Sequence, residues 1–74
     1  MLFYDYKGYT IYPAPLLIVG SARWKIDLTL RHNALARDYS SDEEFNSEAE
    51  AVFNCIKYGM QLIDEDIEML EKAL

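Results

Sequence analysis

A single cysteine, Cys55, stands in the 74 residues, and this scarcity excludes a disulfide within the chain. Small secreted domains bury little apolar surface and usually depend on several disulfides. The N-terminus also has no basic stretch followed by an apolar one, so the sequence predicts no secretory signal peptide. We therefore expect a reducing, cytoplasmic location.

Long hydrophobic runs are also missing. The longest extends from Ala14 to Val19, whereas a membrane-spanning helix needs about 20 apolar residues. The sequence therefore predicts no membrane partner. At 51% hydrophobic and 27% charged residues the composition is that of one folded globular unit, and we predict a single domain over residues 1–74.

Motifs that carry chemistry are absent from the sequence. It contains no HExxH, no glycine-rich phosphate loop and no GxSxG. The only histidine, His32, has no ligand-type neighbours and is predicted to be a polar strand end. Cys55 lies among apolar helix positions and is predicted to be a packed thiol, and the acidic cluster in residues 64–68 a solvated helix face. We accordingly predict no catalytic residue, no metal site, no cofactor and no enzyme activity.

Basic residues are few: seven lysines and arginines stand against thirteen acids, a net charge of −6. Residues 1–37 carry five basic and two acidic residues, a balance of +3, and residues 38–74 carry two and eleven, a balance of −9. The acidic half repels nucleic-acid phosphates, which disfavours a nucleic-acid partner. Halves of opposite sign attract one another, within one chain or between two.

The aromatic residues concentrate near the N-terminus, in two runs of β-forming residues, Leu2–Tyr6 and Tyr9–Tyr12. The Lys7-Gly8 step between them predicts a hairpin turn, because glycine accepts the positive φ of such turns. This turn places rings on both faces of the sheet, through the pairs Tyr6 with Tyr9, Tyr4 with Ile11, and Phe3 with Tyr12.

Strict alternation marks the next strand, Trp24 to Arg31, whose apolar residues alternate with polar ones. His32-Asn33 is predicted to end it, and Leu35–Tyr39 to form a further short strand. Residues 1–39 are therefore predicted to be antiparallel strands, and residues 40–46 an acidic loop.

Residues 47–74 are predicted to be one helix. Ser47 and Glu50 fit a capping box at its start, and one apolar stripe follows at helical spacing: Ala49, Val52, Phe53, Ile56, Met60, Ile63, Ile67, Leu70 and Leu74. Gly59 interrupts this helix. Two interpretations stay open for it: a close approach to the sheet, or a tolerated defect costing up to about 1 kcal/mol.

The predicted fold is α+β, a three- or four-stranded antiparallel sheet with one long C-terminal helix packed on one face. A helix of about 27 residues is roughly 40 Å long, and a nine-residue strand roughly 30 Å. The last two turns, with Ile67, Leu70 and Leu74, therefore extend beyond the sheet and either fray or pack on another chain.

Several short motifs resemble those of a loose group of small bacterial proteins with an antiparallel sheet followed by one helix. They are Tyr6–Ile11 with Pro13, Trp24 opening the alternating strand, Phe45–Ala51, and Ile63-Asp64. The resemblance implies this fold and no known activity. The order of elements also resembles HicB-type antitoxins and the double-stranded-RNA-binding fold, although acidic Glu48 and Glu50 replace the basic helix start of the latter.

Two functions remain as hypotheses. The first is a non-catalytic protein-interaction module that forms a homodimer, with a candidate interface at Tyr4, Tyr6, Tyr9, Tyr12, Ile67, Leu70 and Leu74. The alternative is single-stranded nucleic-acid binding on an aromatic sheet face, with phosphate contacts from Lys25 and Arg31.

Overall fold

The computed structural model describes the backbone of residues 2–73 and the side chains of residues 2–66. The strands are β1 (Tyr4–Tyr6), β2 (Tyr9–Pro13), β3 (Leu16–Leu17), β4 (Trp24–His32) and β5 (Leu35–Phe45), and the helix is α1 (Glu48–Ala73). The α+β prediction is confirmed: α1 packs on one face of an antiparallel sheet. The strand count reaches five because Leu16–Leu17 forms a short strand of its own.

β4 is the centre of the sheet. β2 and β3 pair with one edge of β4, β5 pairs with the other edge, and β1 pairs with β2. β2 ends at Pro13, and Pro15 precedes β3, but the Ala14 N–H between the two prolines still donates to the Asp27 carbonyl at 2.8 Å. The hydrogen bonding along β4 therefore continues past the prolines.

The N-terminal hairpin has the predicted register. Lys7 and Gly8 adopt positive φ angles of 49° and 84°, as the turn between twisted strands requires. Tyr6 pairs with Tyr9 and Tyr4 with Ile11. On the opposite face the Phe3 and Tyr12 ring centroids are 6.0 Å apart.

The acidic loop predicted for residues 40–46 is wrong, because β5 continues through Phe45, which pairs with Trp24. A register shift opposite Lys25 and Asp27 accommodates the extra residues of β5. Serine and acidic residues disfavour strands intrinsically, but pairing with a buried central strand overrides this preference at an edge. Arg23 also holds Glu44, with Nε 3.2 Å from Oε1.

The helix begins as predicted. The Glu50 N–H donates to Ser47 Oγ at 3.2 Å, so Ser47 is the N-cap. The Glu50 carboxylate accepts from the Asn46 N–H at 3.3 Å, one residue before the position that a capping box predicts. Within residues 2–73, α1 lacks the continuous apolar stretch that a membrane-spanning helix requires.

The core lies between α1 and the sheet. Its buried sheet residues are Ile11, Ile26, Leu28 and Leu30, and its buried helix residues are Ala51, Cys55 and Ile63. The predicted helix stripe is therefore wrong in its first half: Phe53 is 62% exposed, and Ile56 is only half-buried.

Small residues face the sheet because the helix approaches it closely. Gly59 lies against Ile11, and a Cβ at residue 59 would be only 2.9 Å from Ile11 Cγ2. The close-approach interpretation of Gly59 is confirmed. The line of residues Ala51, Cys55, Gly59 and Ile63, spaced by four, is the buried side of α1.

Candidate interaction surfaces

One edge of the sheet is strongly apolar. We call it the β1–β3 edge and define it as Leu2, Phe3, Tyr4, Leu16, Leu17 and Val19. These are six of the eight large hydrophobic residues that the described chain exposes, and Val19 is 96% exposed. The other two, Leu35 and Phe53, lie elsewhere.

Strand register explains why these residues share an edge. β1 pairs with the outer side of β2, and β3 pairs with β4 further along, with Leu16 opposite Lys25 and Leu17 opposite Trp24. Among the described residues the outer sides of β1 and β3 have no strand partner. Pro13 and Pro15 lie beside this edge, and proline cannot donate a ladder hydrogen bond. The edge therefore offers apolar side chains more than backbone pairing.

The tyrosines proposed as interface residues separate into two groups. Tyr4 is 44% exposed on the β1–β3 edge, and half-buried Tyr12 lies beside Phe3 on the face away from the helix. Tyr6 and Tyr9 instead face α1: the Tyr6 hydroxyl donates to Asp64 Oδ1 at 3.1 Å, and the Tyr9 hydroxyl to Asp66 Oδ2 at 2.7 Å. The side chains of Ile67, Leu70 and Leu74 lie outside the described residues.

These contacts tie the hairpin to the acidic part of α1. Lys7 Nζ lies 2.8 Å from Asp64 Oδ1. Their hydrogen bond lowers the pKa of the Asp64 carboxyl and raises the pKa of Lys7, and the hydrogen bond to Asp66 raises the pKa of the Tyr9 phenol. Both groups of the Lys7–Asp64 pair are half-exposed, so the pair positions the hairpin and contributes little stability. The acidic cluster was predicted only as a solvated face.

The sheet face away from α1, here called the open face, carries both proposed phosphate contacts. Lys25 pairs with Leu16 and Arg31 with Thr10, which places both cations on the same face as Tyr12. The same strand registers place four acids there: Asp5, Asp27, Asp38 and Glu44. Two basic and four acidic residues leave this face at −2. Asp5 accepts from Thr10 at 3.0 Å, and Asp38 accepts from Thr29 at 2.6 Å.

A cleft of about 390 Å³ opens between the second half of α1 and the β4–β5 hairpin. Leu30, Leu35, Leu62 and Ile63 provide its apolar lining. Its polar and aromatic lining residues are Tyr9, His32, Arg37, Tyr39, Glu65 and Asp66. No sequence pattern indicates this cleft, because it depends on how α1 packs across the sheet, with less contact to β5 than to β4 and β2.

The single histidine and the single cysteine of the chain both make contacts within the fold. His32 Nδ1 lies 3.1 Å from the Gly8 carbonyl oxygen, and its ring stacks on Tyr9 with centroids 4.4 Å apart. Cys55 is fully buried, its thiol donates to the Asp27 carbonyl at 3.4 Å, and burial raises its pKa. Within the described part of the chain, no three potential metal-ligating side chains come together.

Comparison with models of protein families, with curated proteins and with solved structures finds no match to this chain. The resemblances drawn from its short motifs stay predictions.

Proposed function

We propose that this chain is a non-catalytic interaction protein that forms a homodimer through the β1–β3 edge. The observation that carries the proposal is the concentration of six exposed large hydrophobic residues on this one edge. Large exposed hydrophobic residues grouped along one edge of a small protein favour an interaction site.

A second copy is the occupant that this edge favours. Its six defining residues carry no charge, so a twofold axis can place the edge against itself without repulsion. The neighbouring prolines disfavour addition of a strand, so the contact is between side chains.

The non-catalytic part of the proposal rests on the chemistry of Cys55. Its thiol is buried and its pKa is raised, whereas a nucleophilic cysteine needs access and a lowered pKa. A free buried thiol also supports our proposal of a reducing, cytoplasmic location.

Leu17→Asp is expected to weaken the dimer roughly tenfold or more, because it places a charge in an apolar contact. Leu17 is 53% exposed, so the variant keeps its fold. The measurement is solution mass by light scattering over a range of concentrations. Phe53→Asp is the matched control: it is a similar change at an exposed apolar residue of the helix, and it should leave the mass unchanged.

Loss of the dimer in both variants, or in neither, would count against the β1–β3 edge as the interface. Loss in Leu17→Asp alone supports it. Circular dichroism of both variants separates dissociation from unfolding.

Single-stranded nucleic-acid binding is the second candidate. It is favoured by one observation: Lys25, Arg31 and Tyr12 share the open face, where a ring can stack on a base and cations can contact phosphates. The −2 balance of that face opposes it. If this candidate is right, the fluorescence anisotropy of a fluorescein-labelled oligothymidylate rises when the parent protein is added at low salt. Arg31→Glu abolishes this rise, whereas the control Lys57→Glu on the helix leaves it unchanged. No gain with the parent protein at low salt would reject this candidate.

A further inference from the structure

We propose that the free edge of β5 from Leu35 to Ser40, together with the adjoining cleft, binds an extended peptide segment of alternating apolar and basic residues. The segment adds to the sheet as a further strand beside β5. This site lies on the opposite edge of the sheet from the proposed dimer contact and is independent of it.

The backbone of this part of β5 has an unused side. Among the described residues β5 pairs only with β4. His32 and Leu35 flank the two-residue turn, so this pair exchanges hydrogen bonds, and the bonding then alternates along the strand. The N–H groups of Ala36, Asp38 and Ser40 therefore point away from β4. No proline lies in β5, and its register shift begins only beyond Ser40, so residues 35–40 form a regular edge.

The cleft gives an added strand a place for apolar side chains. α1 packs mainly on β4 and β2 and contacts β5 less, so the side chains of β5 that face the helix side are only partly covered. Leu35 is 70% exposed at the rim. Of the apolar residues that line the cleft beneath it, Leu62 is partly exposed, whereas Leu30 and Ile63 are buried. Every second side chain of an added strand would project over this apolar lining.

Charge selects the kind of partner. The proposed site carries Asp38 on β5 and Glu65 and Asp66 in the cleft against the single basic residue Arg37, a balance of −2. Two sites of this charge repel one another, which disfavours a second copy as the occupant. A basic strand is attracted to the same edge.

Strand alternation also predicts which side of the partner is basic. Ala36, Asp38 and Ser40 lie on the open face, whereas Leu35, Arg37 and Tyr39 lie on the helix side. On the helix side Leu35 and Leu62 favour apolar partner side chains, and the charge of Arg37 is offset by Glu65 and Asp66 in the same lining. On the open face Asp38 attracts cations. The partner strand is therefore apolar toward the cleft and basic toward the open face.

The test uses an N-acetylated hexapeptide of alternating lysine and valine, followed by amide chemical shifts of the full chain. We expect shifts at residues 35–40 and at Leu62 and Ile63. A glutamate–valine hexapeptide and a hexapeptide with three lysines followed by three valines should bind at least roughly tenfold more weakly. Equal binding of the three peptides would overturn the proposal.

Ala36→Pro removes one outward N–H and blocks close approach of a strand, so it should weaken the lysine–valine peptide roughly tenfold. Ala49→Pro, in the first helical turn where proline is tolerated, is the matched control. Asp38→Lys on the exposed open face should weaken the same peptide without depending on the backbone. Undiminished binding of the peptide to Ala36→Pro and Asp38→Lys would contradict the site. The solution mass of both variants should be unchanged, which distinguishes loss of peptide binding from loss of the homodimer.

Discussion

Replacing Ile63 by aspartate is expected to leave the protein unfolded at 25 °C. Ile63 is fully buried and belongs to the core between α1 and the sheet. A carboxylate buried there without a partner costs several kcal/mol, and a domain of this size has a free energy of unfolding of only a few kcal/mol. Far-ultraviolet circular dichroism and urea titration measure the loss.

Ile56→Asp is the matched control on the same helix. Ile56 is half-buried and turns away from the line Ala51, Cys55, Gly59 and Ile63. Its variant should fold and lose about 1–2 kcal/mol of unfolding free energy. If Ile56→Asp unfolds the chain and Ile63→Asp does not, the buried side of α1 has been assigned to the wrong residues.

Gly59→Ala is expected to destabilise the protein by about 1–3 kcal/mol, although alanine favours a helix over glycine by about 1 kcal/mol. The new methyl group would lie 2.9 Å from Ile11 Cγ2, 3.0 Å from Cδ1 and 3.1 Å from Cγ1. Ile11 is fully buried, and its branched side chain has few alternative rotamers. The clash therefore exceeds the gain in helix propensity.

A double-mutant cycle with Ile11→Ala isolates this contact. Ile11→Ala alone should cost about 2–5 kcal/mol, but less in the Gly59→Ala background, because the added methyl group then fills the space left by the isoleucine. Gln61→Ala, at an exposed position of the same helix, is the control for propensity alone. Additive free energies in the cycle would mean that residue 59 and Ile11 do not touch.

Turn residues and the alternation of apolar and polar residues were enough to predict part of the sheet. The Lys7-Gly8 turn fixed the pairing of Tyr6 with Tyr9, and the alternation from Trp24 fixed the central strand. The helix face was not predictable in the same way. Hydrophobic spacing favours the bulky Phe53 and Ile56, whereas the close approach at Gly59 selects small residues for contact. The distance between α1 and the sheet depends on how the two elements pack together. The helix sequence alone therefore does not predict it.

The candidate surfaces were predicted only in part. Tyr4 is exposed on the β1–β3 edge and Tyr12 lies beside Phe3. Tyr6 and Tyr9 instead donate to acids of α1, 57 or 58 residues away in the chain. Leu16 and Leu17 follow two prolines, which favour an edge strand, but which strand they pair with depends on the sheet order. The cleft beside β5 depends on that same order.

The solution mass of the unmodified protein, measured by light scattering across a wide concentration range, shows directly whether the chain forms a homodimer. We expect a mass of twice 8.6 kDa, because covering the β1–β3 edge removes from water six of the eight large hydrophobic residues that the described chain exposes. A mass of one chain, 8.6 kDa, at every concentration would contradict homodimer formation.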